Sequence, residues 1–147
     1  KYWLNNKKII LYKDPKNTYI NKFVFFGIGS AVLLVIHSIF LGIKFEYELY
    51  KLFRRVVILF FIVFEIIAQT YLVICLYKIR YSISENINEI FLKLKIFLVS
   101  LLIIVALISI PIISVPGNKY LKHALEWDYF VGVISFYLLT FFMWKKN

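Results

Sequence analysis

The chain has 147 residues, 62% of them hydrophobic, and a formal net charge of +10. Soluble domains are about 45–50% apolar, so the excess argues against a water-soluble domain and favours a lipid environment. The basic residues lie in short blocks between apolar runs and form no nucleic-acid-binding motif. We therefore interpret them as membrane flanks, expect no nucleic-acid partner and treat residues 1–147 as a single membrane domain.

Four apolar runs follow a lysine-rich N-terminal tail. At about 1.5 Å per residue, roughly 20 helical residues cross a hydrocarbon layer of about 30 Å. The first three runs reach that length, and the fourth does so when Trp127 and Trp144 mark the two membrane interfaces, where tryptophan is enriched. The predicted fold is all-α, a polytopic four-transmembrane-helix bundle. Its predicted spans are 23–43, 56–77, 96–115 and 127–144.

The Lys and Arg residues are distributed unevenly between the two sides of these spans. The N-terminal tail, the second loop (in which we count Lys95) and the C-terminus hold twelve, whereas the first and third loops hold six. Because cytoplasmic loops carry the excess of Lys and Arg, both termini are predicted on the cytoplasmic or matrix side. The mitochondrial inner membrane and other intracellular membranes both fit this pattern.

The loop before the second span, "IKFEYELYKLFRR" at 43–55, has helical periodicity. It predicts an extension of the second helix, either along the membrane interface with its apolar face on the membrane or as a plain extension with solvated charges. The apolar stripe consists of Phe45, Leu49, Leu52 and Phe53, and the charged stripe beside it of Lys44, Glu48, Lys51 and Arg55.

The loop before the third span contains Ser82 and, three residues later, Glu85, a capping-box pattern that predicts a helix start outside the membrane. Pro111 is expected to kink the far end of that helix. The sequence "VPGNK" at 115–119 predicts the turn into the fourth span.

Glu65 lies near the middle of the second span. A charged carboxyl costs a few kcal/mol in hydrocarbon, so Glu65 is expected to be protonated or to have a partner. Gln69 is one turn further on the same face, and His37 of the first span is at a comparable depth. These residues predict a proton site, an ion site or a polar anchor, or else a structural hydrogen bond between two helices.

A second group of polar residues, His123, Glu126 and Asp128, precedes the last span. One imidazole with neighbouring carboxylates does not make a zinc site, so we interpret this rim cluster as solvated and expect no metal. His37 and His123 lie at different depths and do not predict haem ligation. Cys75 lies within an apolar run and is read as a buried structural thiol. We expect no cofactor.

Small residues form two stripes that predict close helix packing: Gly27, Ala31 and Ser38 in the first span, and Gly132 with Ser135 in the last. The chain contains no Gly-x-Ser-x-Gly elbow, no glycine-rich phosphate loop and no paired cysteines. We therefore predict no catalytic residues.

The last span also carries a pattern found in a known membrane family. Glu126 and Trp127 open the helix, "FYLLTF" follows at 136–141, and "KIRY" at 78–81 matches the basic-Tyr ending of an earlier helix. These stretches resemble the Frag1/DRAM/Sfk1 family. The resemblance implies an intracellular-membrane protein linked to lipid handling or to maturation of lipid-anchored proteins. Members usually have six spans and this chain shows four, which implies a truncated or reduced relative.

Three functions are open from the sequence. The first is a non-catalytic accessory or structural subunit of a larger membrane complex, for example a respiratory or other energy-converting one, with membrane lipids and other membrane subunits as partners. The second is the lipid-handling function that the resemblance implies. The third is a small proton-coupled transporter, or a membrane enzyme, that uses Glu65 and His37.

Overall fold

A computed structural model of the chain describes residues 1–42, 47–114, 117 and 119–144. Over these ranges the protein is all-helical and has no strand, which confirms the predicted all-α class. A short 3-10 helix covers Arg80–Ile83. The α-helices are α1 (Tyr2–Lys13), α2 (Ile20–Gly42), α3 (Glu48–Ile79), α4 (Glu89–Ser114) and α5 (Lys119–Met143).

Three of the described helices contain segments long and apolar enough to cross a membrane, and α5 contains a shorter apolar segment. All four overlap the predicted spans, and each of the four helices begins several residues before the corresponding span. α3 is the longest, at 32 residues or about 48 Å, which exceeds the thickness of a hydrocarbon layer. The apolar segments are Ile20–Phe40, Leu52–Ile83, Glu89–Ser109 and, the shorter one, Trp127–Met143.

The N-terminal segment is not the plain tail predicted from the sequence, because α1 is a helix packed on α2. Trp3, Asn6 and Ile10 recur at a spacing of three and four residues and are its buried face. The Trp3 indole lies over Gly27, where a side chain would overlap the ring. The periodicity was hidden because the buried face includes Asn6 and the exposed face includes apolar side chains, so no apolar run marks this helix.

The contacts divide the chain into two compact units, Lys1–Cys75 and Leu76–Asn147. In the first unit α2 and α3 are antiparallel, as their ring contacts show. Residues later in α2 contact residues that are progressively earlier in α3. The ring pairs are Tyr19–Tyr71 at 5.5 Å, Phe26–Phe64 at 5.1 Å and Phe40–Phe53 at 5.2 Å between centroids.

In the second unit α4 and α5 form an antiparallel pair. Phe91 stacks on Phe142 with centroids 5.8 Å apart, and the Leu102 side chain occupies the space above Gly132. A Cβ atom at position 132 would lie 2.5 Å from Leu102 Cδ2, so glycine permits this close approach. Gly117, between the two helices, has a φ of 111°, a left-handed conformation that favours glycine.

The start of α4 corrects the predicted capping box. Ser82 lies inside the 3-10 helix, and α4 begins only at Glu89. The cap is Asn88, whose Oδ1 accepts a hydrogen bond from Ile90 N at 3.0 Å. Asn88 N also donates to Met143 O at 2.8 Å, which ties the start of α4 to the end of α5. Asparagine and serine cap equally well, so the tertiary contact decides between them.

The first-loop prediction is partly outside the described residues. Lys44, Phe45 and Glu46 are not described, whereas Glu48 begins α3 and the helix then runs without a break to Ile79. The second helix is thus extended from Glu48 onward, and whether this extension lies along a membrane interface or carries solvated charges stays a prediction. The kink predicted at Pro111, three residues before the end of α4, stays a prediction.

Candidate functional site

Glu65 is the buried acid of the first unit, with 1% of its surface exposed. Its position follows from the spacing of the buried residues of α3, where Phe61, Glu65, Ala68 and Leu72 recur every three or four residues. This stripe faces α2, so the carboxyl group is directed at the neighbouring helix. Ser30 Oγ of α2 lies 2.5 Å from Glu65 Oε2, and Gln69 Nε2 donates to Glu65 Oε1 at 2.9 Å.

The Ser30 hydroxyl is within hydrogen-bond distance of two acceptors, Glu65 Oε2 and Gly27 O, the latter at 3.0 Å. A hydroxyl has one proton to donate, so it can serve only one of them fully. If Glu65 is ionised, Ser30 donates to the carboxylate. If Glu65 is protonated, its O–H donates to Ser30 Oγ and Ser30 donates to Gly27 O. In the protonated arrangement Glu65, Ser30 and Gly27 O each have a hydrogen-bond partner.

Gln69 completes this cluster from one turn further along α3. Its side chain is fully buried, and its Nε2 is used by Glu65. Its Oε1 is buried and accepts no hydrogen bond from the residues the structure describes. A buried acceptor without a donor costs about 1–3 kcal/mol. The cluster therefore has room for one more hydrogen-bond donor, directed at Gln69 Oε1.

The cluster combines the predicted pair Glu65 and Gln69 with Ser30, which the sequence did not single out. His37 is half-buried on α2, seven residues beyond Ser30, or about 10 Å along the helix axis. The α2 side chain hydrogen-bonded to Glu65 is thus Ser30. A contact between Glu65 and His37 stays a prediction.

Lys95 is the buried base of the second unit, and its side chain is fully enclosed. Its Nζ donates to Thr140 Oγ1 of α5 at 2.7 Å and lies 4.2 Å from the centroid of the Phe136 ring. Thr140 Oγ1 in turn donates to Phe136 O at 2.9 Å. The hydroxyl proton is therefore used within α5, and the oxygen lone pairs are available for the amine. Phe136 and Thr140 are one turn apart, so both face Lys95 from one side of α5.

This placement corrects the sequence interpretation of Lys95 as a loop cation, because the residue lies inside α4 and faces α5. A signal for this was present. Leu92, Lys95, Val99 and Leu102 recur at spacings of three, four and three residues, and all four are buried. Lys93, two residues earlier, is exposed. Extending the apolar periodicity of α4 backwards would have assigned Lys95 to the buried face.

The rim cluster is only partly described. Asp128 is exposed on α5, while the side chains of His123 and Glu126 lie outside the described part. Among the described residues no group of three or more His, Cys, Asp and Glu side chains could hold a metal ion. Cys75 is a buried thiol whose Sγ donates to Asn17 Oδ1 at 3.6 Å.

The small-residue stripes have unequal roles in helix contacts. Gly27 receives the Trp3 indole of α1, and Gly132 receives Leu102 of α4. Ala31 and Ser38 are exposed, and the Ser38 hydroxyl donates to Leu34 O of its own helix. Ser135 is half-buried on α5. At Gly27 the close approach is thus made by α1, an element that the sequence had not predicted, whereas at Gly29, outside the predicted stripe, it is made by Phe64 of α3.

Comparison with protein-family models, with curated proteins and with solved structures finds no match to this chain. The Frag1/DRAM/Sfk1 resemblance of the last span, and the lipid-handling function it implies, therefore stay predictions.

Proposed function

We propose that this protein is an integral membrane protein that crosses the membrane four times and acts as a non-catalytic subunit of a larger membrane assembly. The observation that carries the proposal is the large uncovered apolar surface of its helices. Each long apolar segment contains an apolar stretch of 18 residues, and only 17%, 39% and 22% of these stretches, respectively, is buried within the chain. The remaining surface has to be covered by lipid or by other proteins, because exposed apolar patches of this extent are unfavourable in water.

Aromatic side chains on the uncovered faces favour protein neighbours as well as lipid. Phe25 and Phe60 in the first unit, and Phe97 and Phe141 in the second, are all more than half exposed. Aromatic residues are enriched in the cores of protein interfaces, where they bury large areas. Each unit has such faces, so a neighbouring subunit could pack on either one.

Native mass in mild detergent tests the subunit proposal. The chain should remain with membranes after alkaline extraction and should then migrate with an assembly much larger than its own 17.6 kDa. A monomer or a small homo-oligomer that retains full helicity by circular dichroism would contradict the subunit proposal. Release of the chain by alkaline extraction would contradict the membrane-spanning proposal itself.

The membrane orientation is tested by labelling introduced cysteines in intact vesicles, in a Cys75→Ala background. Asn5 is an exposed position of α1, before the first span. Tyr120 is an exposed position at the start of α5, before the last span. With both termini on the cytoplasmic or matrix side, Asn5→Cys should react with an impermeant maleimide from that side and Tyr120→Cys from the other. Equal labelling of both from one side would refute four crossings with this orientation.

A second candidate function is proton exchange at Glu65, and the proton arrangement of the Ser30 cluster favours it. Both protonation states of the carboxyl have hydrogen-bond partners in place, so one proton can be taken up or lost without moving a helix. Intramembrane ionisable residues commonly mark proton pathways. We therefore expect Glu65 to exchange a proton during activity.

Proton flux into proteoliposomes tests this second candidate. Glu65→Gln should abolish the flux, because an amide cannot release a proton at this site. Glu85→Gln is the matched control, since Glu85 is an exposed carboxylate of the same chain. Unchanged flux in Glu65→Gln would assign Glu65 a structural role only.

A further inference from the structure

The second half of α1 and the start of α2 carry a strongly basic surface. Residues 7–22 contain five lysines and a single carboxylate, that of Asp14. Four of the lysines are exposed and Lys7 is half-buried, so their charges are available to a partner outside the chain. We call these five residues the lysine surface: Lys7, Lys8, Lys13, Lys16 and Lys22.

The docking of α1 fixes the level of the lysine surface relative to the apolar segment of α2, which begins at Ile20. The Trp3 indole lies over Gly27, seven residues beyond Ile20, and residues 14–19 connect the two helices, so α1 runs back along α2. Residues 2–6 of α1 are uncharged and lie beside the apolar segment. The later turns of α1, which carry the lysines, therefore lie near the start of that segment.

Lys22 belongs to the same level, two residues beyond Ile20 on α2. Its Nζ lies 5.7 Å from the centroid of the Tyr19 ring and 5.6 Å from that of Tyr71 in α3. Tyrosine is enriched where the hydrocarbon layer meets the lipid headgroups. On the proposed function, in which α2 crosses the membrane, the tyrosines and the lysine surface thus mark one membrane interface.

The exposed face of α1 combines these charges with apolar side chains. Leu4, Lys8 and Leu11 recur at spacings of four and three residues and share one face of the helix. Leu4 is 48% exposed and Leu11 is 45% exposed. Leucine and lysine on one exposed face are typical of helices at a membrane interface, where the headgroups meet the ammonium groups and the acyl chains cover the leucines. A water-soluble polyanion matches the lysines alone.

We propose that the lysine surface binds the headgroups of anionic phospholipids in the leaflet on the side of the N-terminus. Clusters of about four to eight Lys and Arg directly beside a transmembrane helix attract anionic lipids. The inference rests on the membrane-spanning part of the proposed function, and it is independent of Glu65 and of the larger assembly. It assigns a chemical class and a place to the lipid partner.

The test is the association of spin-labelled lipids with the purified full-length chain in phosphatidylcholine vesicles, where electron paramagnetic resonance separates lipid held at the protein from free lipid. Phosphatidylglycerol should associate roughly five-fold more tightly than phosphatidylcholine, the ratio that about 1 kcal/mol from one lysine provides. Added salt should reduce this preference, because exposed charges are screened.

Replacing the four exposed lysines together should remove the preference, and replacing the same four with arginine should retain it, since arginine keeps the charge. The two fourfold variants carry Gln or Arg at Lys8, Lys13, Lys16 and Lys22. Among single variants, Lys8→Gln should lower the preference and Lys93→Gln is the matched control, because Lys93 is an exposed lysine of another helix. Circular dichroism checks that each variant keeps its helicity.

The proposal is overturned if the wild-type chain shows no preference or if the fourfold Gln variant retains it. Equal losses in Lys8→Gln and Lys93→Gln would also overturn it, because the preference would then follow net charge rather than this surface. A fourfold Gln variant that keeps its lipid preference but leaves the larger assembly would show that an acidic neighbouring subunit occupies the surface, and the lipid proposal would be wrong.

Alkaline extraction separates this inference from the proposal on which it rests. A chain that stays in the membrane but does not prefer phosphatidylglycerol overturns the lipid surface alone. A chain released by that extraction overturns the membrane-spanning proposal first.

Discussion

Among the described residues, each compact unit buries one acidic or basic side chain between two antiparallel helices, Glu65 in the first unit and Lys95 in the second. Glu65 is hydrogen-bonded to Ser30 of α2 and to Gln69 of its own helix. Among the described residues, Lys95 donates to one hydroxyl and contacts one ring, and both belong to α5. The acid is thus supported from two sides, whereas the base depends on a single turn of one neighbouring helix.

This difference teaches which unit should be more sensitive to the loss of one polar side chain. Removing one partner of a buried acidic or basic group costs more free energy when the group has fewer partners left. Without Ser30, Glu65 keeps the hydrogen bond from Gln69, whereas without Thr140, Lys95 keeps its contact with the Phe136 ring. We therefore expect the largest effect at Thr140, a smaller one at Ser30 and the smallest for the ring contact.

Thr140→Val should give the largest loss, about 2–3 kcal/mol of the free energy of unfolding in detergent, because the Lys95 amine keeps its burial and loses its hydrogen bond. Circular dichroism during denaturant titration measures it. Thr70→Val is the matched control, since Thr70 Oγ1 donates to Ile66 O of its own helix, as Thr140 does to Phe136 O. Lys95→Met combined with Thr140→Val should recover most of the loss. Equal losses for Thr70→Val and Thr140→Val would show that the amine is not the cause.

Ser30→Ala should cost less, about 1–2 kcal/mol, because Gln69 continues to donate to Glu65. The same unfolding measurement applies. Ser38→Ala, at an exposed serine of the same helix whose hydroxyl donates to Leu34 O, should cost little. A loss at Ser30 as large as that at Thr140 would remove the contrast between the two units.

The coupling between Lys95 and Phe136 should be the smallest effect, about 0.5–1 kcal/mol, as for a cation over an aromatic ring. A double-mutant cycle with Lys95→Met and Phe136→Leu isolates it from the packing that each substitution also changes. Lys93→Met in place of Lys95→Met supplies the control, because Lys93 is exposed. Zero coupling for Lys95 would leave Thr140 as its one energetic partner.

The two buried groups also show what sequence analysis can reach. Glu65 was predicted as the main polar site because a carboxyl interrupts a long apolar run, where its cost is evident from composition alone. Lys95 was missed because it sits beside Lys93 at the edge of a run, where a loop cation and a buried one look alike. Only the three-and-four-residue spacing through Leu92 and Val99 separates them.

The apolar segments were predictable for the same reason as Glu65, since length and composition mark them without reference to contacts. α1 was not, because its stability comes from docking on α2 rather than from its own apolar content. The start of α4 was misassigned because a local capping pattern at Ser82 competed with Asn88, which gains a hydrogen bond to Met143 O from α5. Boundaries set by a distant partner cannot be derived from neighbouring residues.

The docking of α1 has a spectroscopic consequence. The Trp3 indole is buried against Gly27, whereas Trp127 is largely exposed, so the two rings report different surroundings by fluorescence. Any residue larger than glycine at position 27 would displace the indole. Its fluorescence emission would then shift toward that of a solvent-exposed tryptophan. The fluorescence of Trp3 therefore reports whether α1 is packed on α2.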